Sequence, residues 1–449
     1  MEPVSIREIA AVTGGELLGE GGVVTSVAID SRRVTRGTLF CALPGEKADG
    51  HDFVGAAFDA GAACCLVTHA PMGVSGPMVV VPDVESAIKA LAEWYRGKFD
   101  IPVIGIVGTV GKTTAKEMIW AVLSQHMNVL KTEGNLNNQI GVPMTVSRIS
   151  SAHQAAVIEM GISGFGEMSV LAAMARPAIA VFTKIGHAHL EFLHDLDGVF
   201  AAKTEMIKFM PDGGTVIING DDEKLRELRC QQNIVSFGLG ADCAVRAENV
   251  RFDGENGISC DIVYGSRRIP VRIPAYGQHM VYAALEGASA GFVMGLSDAE
   301  IAAGIAAYHT VGRRGVVVNT GYITLIDDCY NANPDSMQCA IDSLVKLPGR
   351  HVCVLADMRE MGEDSPEMHR ELGHYALEKG VDFVAAYGPM SRCLTAAMGD
   401  KARHFDTKAE LIAALPALVE RGDNVLVKAS LGMHLEDAAE ALKKLGTVE

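Results

Sequence analysis

Gly108-Thr109-Val110-Gly111-Lys112-Thr113-Thr114 has the residue types that a phosphate chain requires. Glycines let backbone N–H groups close on phosphate oxygens, and a helix starting at the lysine adds the positive end of its dipole. The Lys112 ammonium would neutralise β- and γ-phosphates and the Thr113 hydroxyl would hold Mg²⁺. The longer G-x-x-x-x-G-K-[ST] pattern is not met, because its first glycine position is Ile106. The loop is instead the shorter G-x-x-G-K-T-T. An ordinary strand-to-helix turn is the plain alternative. Against it stand the apolar run at 103–107 before the loop and an amphipathic segment after it, with Met118, Ile119, Val122 and Leu123. Nucleotide binding is expected.

Magnesium takes oxygen ligands, and Glu159, ending a second apolar run at 155–158, is placed to reach such an ion directly or through water. His187-Ala188-His189 allows a metal ligand or a hydrogen-bonded crevice histidine, and spacing alone favours the second. A zinc site would need a third ligand, for which His194 is a weak candidate. Lys203 sits in a helical stretch where most lysines are solvated. Asp30-Ser31-Arg32-Arg33, followed by Gly45-Glu46-Lys47-Ala48-Asp49-Gly50-His51, could grip a phosphate or a base, but a solvated turn is the plainer reading.

The elements that must position these groups follow from hydrophobic pattern. Near-continuous apolar runs at 103–107, 155–158, 178–182 and 215–218 read as strands buried on both faces, hence parallel. Ligands of such sheets bind at the C-terminal strand ends, where Glu159, Lys184, His187 and His189 lie. Alternating strands at 243–252, 258–264 and 267–273 look like an antiparallel extension, closed by helices at 281–293 and 299–308. Before this unit, strands at 23–29, 38–42, 64–67 and 78–81 alternate with helices at 6–12, 53–60 and 84–98. After it, strands at 322–326, 351–355, 383–387 and 424–427 alternate with helices at 334–347, 366–379, 390–397, 408–421 and 433–445, the first capped by Asn333 with Pro334 behind it. A chain of 449 residues suits about three domains of ~150 residues. The predicted fold is α/β in three domains: a small α/β N-terminal domain (1–99), a central phosphate-loop parallel-sheet ATPase domain (100–311) and a C-terminal Rossmann-like α/β domain (312–449). Hinges are expected near residues 99–102 and 311–315.

The chain has 39 Lys plus Arg against 55 Asp plus Glu, a net charge of −16. No basic field exists to release counterions from a nucleic acid, so local donors and metal must hold an anionic nucleotide. Ten cysteines show no C-x-x-C pairing and read as reduced core residues of a cytoplasmic protein. No uninterrupted apolar run reaches ~18 residues, so no membrane insertion is expected. A monomer is expected.

These pieces in this order resemble the Mur ligase superfamily, ATP-dependent amide-bond ligases of cell-wall assembly, over nearly the whole chain. The short phosphate loop is similar to theirs. Gly134-Asn135-Leu136-Asn137-Asn138-Gln139-Ile140-Gly141-Val142-Pro143, Glu159-Met160-Gly161 with Gly166-Glu167, Asp327-Asp328-Cys329-Tyr330-Asn331-Ala332-Asn333-Pro334-Asp335-Ser336 and Asp357-Met358-Arg359-Glu360-Met361-Gly362 resemble the members that add D-alanyl-D-alanine to UDP-N-acetylmuramoyl-tripeptide. The Asp-Asn-Pro-Arg tetrapeptide of the diaminopimelate-adding sibling is absent. A regulatory GTPase would carry Asn-Lys-x-Asp, which is absent too.

The resemblance implies ATP and two Mg²⁺ ions, with ATP phosphorylating the peptide's terminal carboxylate before the dipeptide amine attacks. Gly108, Thr109, Val110, Gly111, Lys112, Thr113 and Thr114 would hold the phosphates, and Arg313 and Asp328 would contact the γ-phosphate region and the ribose. Thr113 and Glu159 would hold one Mg²⁺ and His189 a second, with Lys203 carbamylated so that anionic oxygens replace a repelled ammonium. Lys112, Glu159, His189 and Lys203 form the implied catalytic set. Ser31 and Arg32, with Asp49-Gly50-His51, would belong to the UDP-binding domain, and Asn137 and Asn138 would line the muramoyl-peptide site. The chain differs from the pattern at Met280 and Ala283, where asparagines are usual, at Lys184 for asparagine, at Ala356 for glycine and at Leu431 for arginine.

Overall fold

The computed structural model describes residues 1–45, 48–252 and 257–445. Glu46 and Lys47 of the loop before Asp49, and residues 446–449 of the predicted third domain, lie outside the described residues. Among the described residues no helix is long and apolar enough to cross a membrane.

The central sheet is ordered, edge to edge, Arg267–Ile273, Ile258–Tyr264, Val245–Phe252, Asn233–Gly238, Thr215–Asn219, Ile179–Phe182, Val103–Val107, Ala155–Glu159 and Val129–Lys131. From Val129–Lys131 to Val245–Phe252 every pairing is parallel, and the last three strands pair antiparallel with one another. Alternate residues explain the apolar runs. Val103, Val107, Ala156, Ile158, Ala180 and Phe182 enter the core on one face, whereas Ile104, Ile106, Ala155, Val157, Ile179 and Val181 enter the core on the other. Register then fixes the site: Ile106 is paired with Glu159 on one side and Val181 on the other. The phosphate loop therefore emerges between Glu159 and Thr183.

Helix Lys112–Leu123 covers one face of this sheet. It is approached so closely by helix Asp298–Ala306 that a Cβ on Gly304 would lie 2.3 Å from Val122 Cα. Only glycine permits that contact.

The N-terminal sheet runs Glu16–Leu18, Met78–Val80, Cys64–Val67, Thr38–Cys41, Ser26–Ala28. The single strand expected at 23–29 is two. Val23–Val24 pairs with Val4–Ser5 in a separate ribbon, because Thr25 turns its N–H to Gly37 O and its carbonyl to the N-terminal ammonium. The C-terminal sheet runs Val316–Asn319, Thr324–Asp328, Asn424–Lys428, His351–Ala356, Phe383–Tyr387, Ala402–Phe405. Its first expected strand, 322–326, is shifted toward the C-terminus, since Thr320 N–H bonds Ile323 O and closes a hairpin turn there. The shift carries Asp327 and Asp328 to the strand's end. The last expected helix begins at Glu436 rather than 433, after a 3-10 turn and a left-handed His434 with φ 53°.

Helix Val84–Arg96 couples the first unit to the central one. The buried Arg96 guanidinium donates to Ala175 O at 2.9 Å, Phe99 O at 2.6 Å and Ile101 O at 2.8 Å, and among the described residues no carboxylate is bonded to it. A fixed planar fork matches these carbonyls where a lysine could not. Arg96→Met leaves them without donors and is expected to cost about 2–4 kcal/mol. Thermal denaturation checks this as a lowered first unfolding transition.

Candidate functional site

A cavity of about 410 Å³ lies at the C-terminal ends of the central strands, walled on its far side by the C-terminal unit. Thr109 to Thr114, Asn137, Asn138, Glu159 and His189 line one wall, and Asp328, Tyr330 and Lys428 the other. Gly108 lies beneath. A Cβ there would sit 1.9 Å from Thr183 Oγ1 and 3.1 Å from Lys184 N.

The loop is fastened to the neighbouring strand end. Thr109 N–H donates to Lys184 O at 2.8 Å, and Thr109 Oγ1 accepts from Gly186 N at 3.0 Å. Gly111, with φ +84°, turns the chain into the helix. Lys112 Nζ donates to Gly108 O at 2.7 Å. Burial lowers its pKa, Glu159 opposes that shift and Arg314 adds to it. Glu159 is 2 % exposed and held at both oxygens. Thr113 Oγ1 donates to Oε2 at 2.9 Å and Asn137 Nδ2 to Oε1 at 2.8 Å, while Thr132 Oγ1 accepts from the Glu159 N–H at 3.0 Å.

His189 lies in a left-handed turn, φ 55°, with Nδ1 at 2.9 Å from Glu360 Oε2 but in a direction that makes no hydrogen bond. Burial lowers its pKa, Glu360 opposes, and Lys203 and Lys112 lower it further. Lys203, in helix Leu196–Thr204, is 2 % exposed. Burial holds its amine well below the usual lysine value, and Lys112 pushes the same way. Among the described residues no carboxylate forms an ion pair with it.

Among the described residues no three His, Cys, Asp or Glu side chains gather as a metal cage, so the zinc alternative finds no geometry. A hard cation fits the donors present. Thr113 and Glu159 offer oxygen beside the phosphate loop, and His189 keeps a buried ring nitrogen without a hydrogen bond.

On the far wall, Lys428 Nζ donates to Asp328 Oδ2 at 2.6 Å and Asn331 O at 2.8 Å. Arg314 lies 3.7 Å over the Tyr330 ring. His279 lines the cavity, its pKa lowered by burial, with Asp328 opposing. The walls are joined directly. Asp335 accepts from Lys184 Nζ at 2.6 Å and from His187 N–H at 2.9 Å, and Tyr276 Oη donates to Ser343 O at 2.7 Å.

Of the residues singled out from sequence, Thr109 to Thr114, Asn137, Asn138, Glu159, His189 and Asp328 meet around this cavity, with Lys203 buried behind His189. Arg313 is not among the lining residues: its guanidinium pairs with Asp327 at 2.8 Å and Glu440 at 2.6 Å inside the C-terminal unit, and the adjacent Arg314 lines the cavity. Two adjacent arginines in a turn carry no periodicity to separate them. Ser31 and Arg32 lie apart, in a 3-10 turn capped by Asp30, where Arg32 is exposed and paired with Asp30 at 2.7 Å. Tyr276, Arg314, Tyr330 and Lys428 had no assigned role from sequence. The available signals were the 327–336 motif, which contains Tyr330, and the place of Lys428 directly after the apolar run at 424–427.

The description Mur ligase middle domain matches residues 106–291, Mur ligase, glutamate ligase domain matches 312–431, and Mur ligase family, catalytic domain matches 23–101. The chain is 34% identical to the UDP-N-acetylmuramoyl-tripeptide--D-alanyl-D-alanine ligase of Escherichia coli over 100% of both chains. It is 33% identical to the enzyme of that name from Bacillus subtilis over 98% of both. Among solved structures, MurF from Acinetobacter baumannii superposes with a TM-score of 0.92 at 29% identity, covering 99% of each chain. MurF ligase from Thermotoga maritima in complex with ADP gives 0.84 at 26% identity, covering 94% of this chain and 97% of that one.

Gly108→Ala forces Thr183 against its own bond to Val110 O. Overpacking of this kind costs about 1–3 kcal/mol, so ADP is expected to bind roughly 10–100-fold more weakly by calorimetry, with an unchanged circular dichroism spectrum. Asp335→Asn weakens the Lys184 contact between the walls. Turnover of this variant is expected to lose part of the salt sensitivity of the parent chain, because a half-exposed ion pair is screened by salt.

Proposed function

The chain belongs to the Mur ligase family, and on that premise we propose that it joins D-alanyl-D-alanine to UDP-N-acetylmuramoyl-tripeptide, converting ATP to ADP and phosphate. The observation that carries this reading is a cavity walled by a phosphate loop on one side and by the C-terminal strand ends on the other, in a chain similar from end to end to ligases of that name.

A carboxylate is a poor acyl donor because oxide would have to leave. In the proposed scheme an oxygen of the peptide's terminal carboxylate attacks the γ-phosphorus of ATP, and ADP departs. The amine of D-alanyl-D-alanine then attacks the acyl carbon of the resulting acyl phosphate, phosphate leaves, and the nitrogen loses a proton as the amide forms. Lys112 and Arg314 bring positive charge to the phosphates, where phosphoryl transfer is most sensitive to electrostatics. Asp328 serves the ribose, and Asn137 and Asn138 orient the peptide. Residues 1–99 bind the UDP portion through Ser31 and Arg32, residues 100–311 bind ATP, and residues 312–449 take the dipeptide. Contacts such as Asp335 on Lys184 hold the walls together and keep water from the acyl phosphate.

Two Mg²⁺ ions belong to this scheme, held by Thr113, Glu159, His189 and a carbamylated Lys203; when bound they supply charge to the transferring phosphoryl group. Burial, which lowers the Lys203 pKa, favours the unprotonated amine that can add to carbon dioxide. The carbamate would exchange a repelled ammonium for anionic oxygens. The ten cysteines are free thiols, which fits a reducing cytoplasmic setting; the net charge of −16 fits small nucleotide-activated substrates rather than nucleic acid, and the enzyme is proposed to act as a monomer.

Phosphate release from ATP is measured with the UDP-tripeptide, with and without D-alanyl-D-alanine, and the product is weighed. Release that needs both substrates, with a product heavier by one dehydrated dipeptide, is the expected result. Turnover only with another amine would assign a sibling specificity, and nucleotide binding without turnover would leave a non-catalytic binder. Lys203→Arg, which keeps a long basic side chain but cannot form the carbamate, is expected to lower kcat by about 100-fold or more with ADP binding retained.

A further inference from the structure

Lys116 has no place in the scheme above, yet it is 1 % exposed and borders the floor of the site. It stands four residues after Lys112, on the same face of helix Lys112–Leu123. Its ammonium lies 3.2 Å from Glu117 Oε1 and 3.7 Å from Glu159 Oε2, and it donates to Gly134 O at 3.3 Å. Glu117 in turn pairs with Lys131. An ammonium buried this deeply costs several kcal/mol unless it is compensated, and an apolar side chain would pack a helix against a sheet without that cost.

Resting on the reading of the chain as a ligase, we infer that Lys116 is a positioning residue of the reaction. It ties the phosphate-loop helix to the metal-facing Glu159 and to the 134–138 loop that faces the peptide. The carboxylate contacts explain why a lysine suits this place. Thr113 and Asn137 each donate to one oxygen of Glu159. Lys116, at 3.7 Å from Oε2, is beyond hydrogen-bond range, so it balances charge without occupying a lone pair that a cation needs. Its hydrogen bond goes to the Gly134 carbonyl, at the head of the loop that carries Asn135, Asn137 and Asn138 into the cavity. Gly134 has φ +54° and nothing within 4 Å of its Cβ position, so side-chain packing does not fix it. Asn137 then closes the ring by returning to Glu159. Helix, strand end and loop are thereby held at one spacing.

The test uses the full chain with Lys116→Met, Lys116→Arg and Glu117→Gln. Binding of a non-hydrolysable ATP analogue is measured by calorimetry with and without Mg²⁺, and kcat and KM for the UDP-tripeptide are measured separately. For Lys116→Met the expected result is metal-free analogue binding close to the parent's, an Mg²⁺ enhancement smaller by about tenfold, and a raised KM for the UDP-tripeptide. Lys116→Arg is expected to recover part of both, and supplies the readout should the methionine variant not fold. Glu117→Gln leaves Lys116 facing Glu159 and Gly134 and is expected to retain the parent's Mg²⁺ enhancement. The inference is overturned by an unchanged Mg²⁺ enhancement and KM in Lys116→Met, or by a Glu117→Gln variant as impaired as Lys116→Met, which would make the charge cluster a support of the fold alone. Analogue binding is read without turnover, so a parent chain that proved not to be a ligase would overturn the functional reading separately.

Discussion

Buried charge at the tips of two parallel strands is the constraint that the rest of the molecule serves. Lys112, Lys116 and Lys131 gather about Glu117 and Glu159, with Lys203 buried near Lys112, in a chain whose net charge is −16. An excess of positive charge out of water is costly on its own and favourable once a polyphosphate supplies the opposite sign. The sheet makes the arrangement possible. With Ile106 paired to both Glu159 and Val181, the loop, the carboxylate and the Thr183 hydroxyl must leave the sheet at one level. The flanking cores on both faces keep that level fixed.

The second unit completes the site by bringing its own strand ends to face the first. Asp335 sits so close to the 184–187 turn that a Cβ on Gly186 would lie 2.4 Å from its Oδ2. A contact this tight, with Lys184 Nζ and the His187 N–H both donating to the same carboxylate, has one geometry only. His189 facing Glu360 and Lys346 donating to Gln278 Oε1 at 2.8 Å extend the seam. The cavity is thus a property of two units held together, and its walls would part if these few polar contacts broke. Polar seams suit parts that must separate and rejoin, since little apolar surface is exposed on opening.

Where periodicity was strong, the sequence was readable. The run at 103–107 is the strand Val103–Val107, and the phosphate loop follows from it together with Glu159. Short elements were harder. Val129–Lys131 and Ala402–Phe405 are strands too brief for any period to emerge, and helix Gly141–Val146 contains glycine, proline and β-branched residues that oppose helix by propensity. The site shows the same division. Lys112, Thr113 and Glu159 belong to a local motif, whereas Arg314 over Tyr330 and Lys428 on Asp328 depend on how distant segments pack. Lys203 lay between these cases. Its sequence context is that of a solvated lysine, and only the family resemblance set it apart before the structure showed it buried.

The positions where this chain differs from the family pattern sort by burial. Met280 and Ala283 are each 3 % exposed in helix His279–Val293 and belong to the core against which helix Lys112–Leu123 packs. The usual asparagines there would add amides to an apolar layer, and apolar residues remove that burden. His279, one residue earlier, still faces the cavity, and Tyr276 and Ser343 approach from the same side. Leu431 is different, being 50 % exposed after the strand Asn424–Lys428. Among the described residues, neither core packing nor a side-chain hydrogen bond requires leucine at that place, and nothing in the structure explains it.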